Sequence, residues 1–338
     1  MPTKKNKTLI IAEAGVNHNG KLSLAKKLIK IAKNSGADVV KFQTFIPSNL
    51  VTNKAKLAKY QKTKNNKTKQ INMLEKLSLT KKMHYKLKAY CDKLEIEFCS
   101  TAFDIQSLEL LLSIGIKRIK IPSGEITNYE LLNYISALNY PIILSTGMSD
   151  NKEIAKAIKI LTQRKIQRKN ITVLHCNSSY PTPMKDVNLM AMRSIKLYNK
   201  TEIGLSDHSN GIEVPIAAVA MGATIIEKHF TLDRTFEGPD HKSSLSPSEL
   251  TNMVKSIRNI EIAIGDGIKK ITTSESINKN IVRKSLVAAK KIRKGDIFDN
   301  ENITAKRPGN GLSPMLLNNL IGKKAKRNYL VDELIKKE

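Results

Sequence analysis

Eight apolar runs, each leading into a stretch of helical periodicity, recur along most of this chain. They are LIIAEAG (9–15), VVKFQTF (39–45), IEFCSTAF (96–103), RIKIPSG (118–124), PIILSTG (141–147), ITVLHCNSS (171–179), EIGLSDH (202–208) and TIIEKHF (224–230). Strands that read as continuous apolar runs are those covered on both faces. Between them, segments such as LSLAKKLIKIAKNSG and NKEIAKAIKILTQ repeat apolar residues at the helical period. Eight parallel strands with outer helices close into a (β/α)8 barrel of roughly 250 residues. An open doubly wound sheet is the alternative. Against it, EAGVNHNG follows the first strand where a G-x-G-x-x-G phosphate turn belongs. The expected architecture is an α/β TIM barrel over residues 1–270, a polar linker over 271–282 and a small β-rich domain over 283–338.

Polarity enters each strand late. The series runs Glu13; Lys41 and Gln43; Thr101 and Asp104; Lys120, Ser123 and Glu125; Ser145 and Thr146; His175 and Asn177; Ser206 to His208; and Glu227 to His229. In this barrel the active site lies at the C-terminal ends of the strands. One late polar residue is accounted for by a strand cap; eight strands turning polar at one end indicate an enzyme site.

The stretch from Gly204 to Lys242 carries three of the six histidines, His208, His229 and His241, together with Asp207, Glu227, Asp233 and Asp240. His208 and His229 end neighbouring strand patterns, and neutral imidazole suits a divalent transition metal. Lys41 and Lys120, with the hydroxyls of Thr101, Ser123, Ser145 and Ser206, suit a phosphate or carboxylate, since lysine supplies point charge and hydroxyls supply direction. Glu13 and Glu125 are candidate bases or acceptors for sugar hydroxyls. This spacing points to a metal-assisted reaction between an anion and a polyhydroxylated or carbonyl substrate, and leaves the reaction itself open.

A formal net charge of +28 raises nucleic acid as a partner. The lysines are scattered over nearly every helical stretch, however, and aromatics make up 5% of the chain, without the stacking aromatics that single-strand binders interleave with basic residues. A solvated basic surface that attracts small anions is the better reading. No apolar run approaches the roughly 20 residues that span a bilayer, and the basic N-terminus turns polar too soon for a signal peptide; the expected location is the cytoplasm, with no membrane or nucleic-acid partner. Cys91, Cys99 and Cys176 form no metal or disulfide pattern. Cys99 and Cys176 read as small buried hydrophobes. The segment 46–78, with KLAKYQKTKNNKTKQIN at its centre, reads as a long lid-like loop without chemistry of its own. Beyond residue 283, short β-rich pieces are broken by KGD and PGNG turns, and Arg307 beside Pro308 is the residue best placed to reach outward.

Taken in order, IAEAGVNHNG, VKFQTF, STAFD, KIPSGEITN, ILSTGM, HCNSSYPTP, GLSDHS, IEKHFTLD, GPDH and KRPGNG resemble the N-acetylneuraminate (sialic acid) synthase family over almost the whole chain. The resemblance implies a metal-dependent condensation of phosphoenolpyruvate with an N-acetylated mannose-type sugar and water, giving a nonulosonic acid and phosphate. It implies His208 and His229 as metal ligands, usually for Mn²⁺, with Mg²⁺ or Co²⁺ as alternatives. Lys41, Thr101, Lys120, Ser123, Ser145 and Ser206 correspond to the phosphoenolpyruvate site, joined by either Asn177 or Ser178. Gln43, Tyr180 and Asp240 correspond to the sugar side, and Glu13 and Glu125 to the acid–base positions. The C-terminal segment is similar to the family's antifreeze-like (SAF) domain, whose arginine, here Arg307, enters the partner subunit's site; this implies a domain-swapped homodimer. STAFD departs from the pattern at Ala102, where proline is common. AEAGVNHNG, PSGEITN and NIVRKSLVA are closer to the bacterial legionaminate-type and related sialate enzymes than to pseudaminate synthases, which leaves two sugars, 2,4-diacetamido-2,4,6-trideoxymannose giving legionaminate or N-acetylmannosamine giving N-acetylneuraminate, with a slight lean to the first. A metal-dependent sugar isomerase on the same barrel and a non-catalytic sugar or nucleic-acid binder are the readings from other classes.

Overall fold

The computed structural model describes residues 7–57 and 69–337. Eight parallel strands close into a barrel in chain order: β1 (Leu9–Gly15), β2 (Val39–Thr44), β3 (Glu97–Ala102), β4 (Ile119–Ile121), β5 (Ile142–Ser145), β6 (Ile171–Cys176), β7 (Glu202–Asp207) and β8 (Ile225–His229). β8 pairs back onto β1 through Leu9↔Ile225 to Glu13↔His229. The eightfold alternation therefore closes rather than staying open.

Alternation along each strand separates two cores. Ile11, Val39, Cys99, Ile143, Leu174 and Ile225 form one cluster that fills the barrel interior. Their neighbours, among them Ile10, Val40, Phe42, Phe98 and Ile226, pack outward against the helices. Helix Leu22–Asn34 shows why the cover forms: Ala25, Leu28, Ile29 and Ala32 recur at helical spacing and are all buried. The closing helix, Pro247–Ala263, begins on a capping box in which Ser246 accepts from the Glu249 amide and the Glu249 carboxylate accepts from the Ser246 amide.

Stepping two residues toward the C-terminal end from each interior apolar position reaches Glu13, Lys41, Thr101, Ser145, Cys176 and Glu227. The late polarity of the strands is thus a polar layer lying directly above an apolar plug.

Two expectations change. The segment 46–78 is not structureless: helices Pro47–Leu50 and Gln70–Leu77 lie within it, and Leu74 and Leu77 bury against Val16 and Phe45. Its lysine- and asparagine-rich centre, 58–68, lies outside the described residues. The stretch 271–282, expected as a linker, is mostly helix Thr273–Val282, nucleated by a Thr272–Glu275 capping box.

The chain divides into two compact units, Met1–Asp266 and Gly267–Glu338. The second pairs β9 (Ser285–Ala288) with β10 (Ile303–Lys306) antiparallel. Its own core joins Leu286, Ala288, Ile292, Phe298, Ile303, Leu320 and Tyr329. Among the described residues no helix is long and apolar enough to cross a membrane.

Candidate active site

A cavity of about 500 Å³ opens at the C-terminal ends of the strands. On its floor two lysines, each 3–4% exposed, share one carboxylate: Lys41 Nζ lies 3.5 Å and Lys120 Nζ 3.2 Å from Glu227 Oε1. Lys41 also meets Glu13 Oε2 at 2.8 Å and donates to Thr101 Oγ1 at 2.9 Å, and Ser206 Oγ donates to Glu227 Oε1 at 3.3 Å. A buried ammonium is costly unless paired, and this network supplies the pairing on β1, β2, β3, β4, β7 and β8 together.

Glu13, Glu227 and Lys41 respond to burial differently. Burial pushes the Glu13 carboxyl up to about 7, with Lys41 opposing and Glu227 adding to the rise. Burial acts the same way on Glu227, but Lys120 and Lys41 outweigh it and hold that carboxyl below its usual range. Lys41 stays charged because Glu13 and Glu227 outweigh the burial that would lower it. Glu13 is therefore the group of the floor that exchanges a proton near neutrality, and Glu227 is an anion held between the two lysines.

Hydroxyls surround this floor. Ser145 Oγ is buried with no hydrogen-bond partner among the described residues, and a hydroxyl can both donate and accept. Ser123 Oγ accepts from the Gly147 amide at 2.9 Å. A methyl on Gly147 would collide with Ser178 Oγ and crowd Ser123 Oγ at 2.9 Å, so glycine is what lets both serines approach. Of the two candidates on the loop after β6, Ser178 lines the cavity. The Asn177 side chain is instead engaged within its own loop, donating to Asp186 O at 3.2 Å and accepting from the Ser179 amide at 2.9 Å. The backbone of Asn177 has another use: its carbonyl accepts from His208 Nδ1 at 2.6 Å.

Because a carbonyl can only accept, that bond places a proton on His208 Nδ1; burial would lower this ring's pKa, but Cys176 beside it and the Asn177 carbonyl outweigh burial and hold it above the usual imidazole value. Burial, with His208 and the lysines nearby, holds His229 well below its usual pKa, so this ring is neutral. Its Nδ1 is buried without a partner, and the two rings lie 5.4 Å apart between centroids. Tyr180 stacks on His208 at 4.0 Å. Asp240 Oδ2 lies 3.7 Å from His229 Nδ1, and burial raises that carboxyl to about 6. Gly15, at φ +51°, makes this approach possible: a Cβ there would sit 3.2 Å from Asp240 Oδ2, 3.3 Å from His229 Cε1 and 3.4 Å from Gln43 Nε2.

Two adjacent imidazoles, of which His229 is held neutral and has a buried Nδ1 with no hydrogen-bond partner among the described residues, fit a divalent cation. Among the described residues no three His, Cys, Asp or Glu side chains converge into a closed cage. His241 is not part of this pair: its Nδ1 pairs with Thr231 Oγ1 at 2.6 Å and its Nε2 faces Asn19 Oδ1.

Gln43, Glu125 and Tyr180 line the same cavity. Glu125 accepts from Asn128 Nδ2 at 2.7 Å, and burial raises its carboxyl. Arg307 is exposed in the second unit. The sequence reading missed two residues. Glu227 was visible as a late polar residue, but its role between Lys41 and Lys120 depends on barrel closure. Cys176, expected to be a plain buried hydrophobe, lines the cavity with its sulfur 3.8 Å from His208 Nδ1; two-residue alternation from Leu174 would have placed it there.

The profile of the NeuB family matches residues 28–269, and that of the SAF domain matches residues 283–338. An N,N'-diacetyllegionaminic acid synthase of Campylobacter jejuni is 54% identical over 98% of this chain and 99% of its own length. An enzyme of the same name from Legionella pneumophila is 44% identical over 94% of this chain and 90% of its own. The crystal structure of an N-acetylneuraminic acid (sialic acid) synthetase from Leptospira borgpetersenii superposes with a TM-score of 0.71 at 36% identity, covering 81% of this chain and 90% of that one. With the barrel, the lysine–carboxylate floor and the histidine pair in place, the chain belongs to the NeuB family, enzymes that condense phosphoenolpyruvate with an N-acetylated sugar to form a nonulosonic acid.

Proposed function

We propose that the sugar is 2,4-diacetamido-2,4,6-trideoxymannose and the product N,N'-diacetyllegionaminate. The single observation that carries this reading is the 54% identity, end to end, to an enzyme named for that product. C3 of phosphoenolpyruvate bonds to the aldehyde carbon of the open-chain sugar, water adds at C2, and phosphate leaves with its bridging oxygen as the C2–O bond breaks.

Lys41 and Lys120, held on Glu227, take the carboxylate and phosphate of phosphoenolpyruvate, with Thr101, Ser123, Ser145, Ser178 and Ser206 giving direction. Enzymes of this family generally depend on a divalent metal, and a Mn²⁺ ion held by His208 and His229 would polarise the aldehyde and stabilise negative charge on its oxygen. Gln43, Tyr180 and Asp240 orient the sugar. Glu13, poised near neutrality beside Lys41, is suited to take the proton from the attacking water, with Glu125 on the opposite rim as the second acid–base group. The active form we infer is a homodimer in which Arg307 reaches the partner's sugar.

The test is product mass spectrometry after incubation with phosphoenolpyruvate, Mn²⁺ and each sugar separately. A legionaminate mass with stoichiometric phosphate is expected from the trideoxy sugar. Turnover of N-acetylmannosamine alone would overturn the proposal, and isomerised sugar without phosphate release would return the site to the isomerase reading.

A further inference from the structure

One side of the cavity rim is apolar. Phe45 and Leu74 are 7% and 8% exposed, and Phe45 meets Phe103 edge to face at 6.0 Å. Leu50 and Val51 are half-buried against the same cluster. All five side chains line the cavity. They follow the ends of β2 and β3 or belong to the segment after β2, and Gln70 is the polar lining residue that this segment supplies among the described residues.

The strand order gives the wall its meaning. In a closed barrel of eight, β3 stands opposite β7, and β2 faces β6. His208 follows β7, so the wall lies across the mouth from that ring; His229, on β8, stands opposite β4 and is separated from β2 by β1 alone, with the lysine floor below. A sugar held by its aldehyde end at His208 has this apolar side of the cavity, formed by Phe45, Leu50, Val51, Leu74 and Phe103, beside the space left for its remaining carbons.

We infer that this apolar wall selects a 6-deoxy, 4-acetamido sugar by receiving its C6 methyl and acetamido methyl, and disfavours a sugar with hydroxyls at those carbons. The inference rests on the functional reading above and names the residues that set its sugar specificity. A methyl group against such a wall gains by leaving water. A hydroxyl in the same place gives up hydrogen bonds to water without replacement. Differences of one such group in an apolar pocket are worth about 10–200-fold in kcat/KM.

The test compares kcat/KM, by phosphate release at saturating phosphoenolpyruvate and Mn²⁺, for 2,4-diacetamido-2,4,6-trideoxymannose and N-acetylmannosamine. Wild type is set beside Val51→Thr, which keeps the shape and adds a hydroxyl, and Leu50→Asn. We expect wild type to prefer the trideoxy sugar, and each variant to lower that preference by about 10-fold. The change should lie in the two sugar KM values, with the phosphoenolpyruvate KM unmoved. If wild type prefers the trideoxy sugar and Val51→Thr, folded with an unchanged Tm, keeps the full preference, the wall inference is overturned while the function stands. If wild type prefers N-acetylmannosamine, the functional reading fails and the inference falls with it.

Discussion

Lys228 and Asp207 form a buried ion pair directly behind the two histidines. They are register partners on β8 and β7, 1% and 4% exposed, and they point away from the cavity because each lies one residue from a side chain that points in. Lys228 Nζ also donates to Ser209 O at 2.7 Å, and Asp207 Oδ1 accepts from the Ser209 amide at 2.9 Å. The pair and this turn tie together the strand ends that carry His208 and His229.

Removing one partner leaves an uncompensated buried charge. Lys228→Met is expected to cost about 3–5 kcal/mol of stability, read as a lower denaturation midpoint. Lys228→Met combined with Asp207→Leu should recover most of that loss, because an apolar pair leaves no stranded ion. A single variant as stable as wild type would show that the pair carries no such burden.

The lysine floor predicts a separation of the two substrates. Lys120→Met removes one cation from Glu227 and one charge-assisted contact to the anion, contacts worth about 1.5–3 kcal/mol each. The phosphoenolpyruvate KM should rise at least about 10-fold, with a far smaller change in sugar KM. Equal effects on both would place Lys120 outside the anion site.

Metal removal tests the histidine pair. Exhaustive treatment with EDTA should abolish phosphate release and added Mn²⁺ should restore it. His229→Ala should keep the circular dichroism spectrum, lose Mn²⁺ binding in titration calorimetry and reduce kcat by orders of magnitude. Full turnover in a rigorously metal-free preparation would remove the cation from the reaction.

Arg307 offers a test of the subunit proposal. Arg307→Ala should raise the sugar KM, and His229→Ala should be inactive by itself. If Arg307 serves the neighbouring subunit, mixed dimers of the two variants contain one intact site and regain activity. Failure to complement, with mixed dimers shown by mass, would confine Arg307 to its own subunit or to no catalytic role.

Much of this was legible without coordinates because it is periodic. The eight apolar runs, the shift to polar residues at their ends and the two histidines on adjacent runs follow from local sequence, since burial on both faces and strand alternation act residue by residue. The capping box that starts the closing helix is local for the same reason: Ser246 and Glu249 are three residues apart.

What tertiary structure decided involves residues far apart in the chain. Glu227 became the shared anion of Lys41 and Lys120 only when β8 closed onto β1 and brought three distant strands around one floor. The Asn177 side chain bonds to Asp186 and Ser179 within the folded loop, while Ser178 lines the cavity. The segment after β2 looked like a featureless loop; its sparse leucines and valine acquired a role when they met Phe45 and Phe103 and became one wall of the pocket. Sequence by itself determined the barrel and the chemical types at its mouth, because those depend on local pattern. Which charges share a partner, and which face of the pocket is apolar, depended on closure of the sheet, because electrostatic and hydrophobic contacts are set by distance in space.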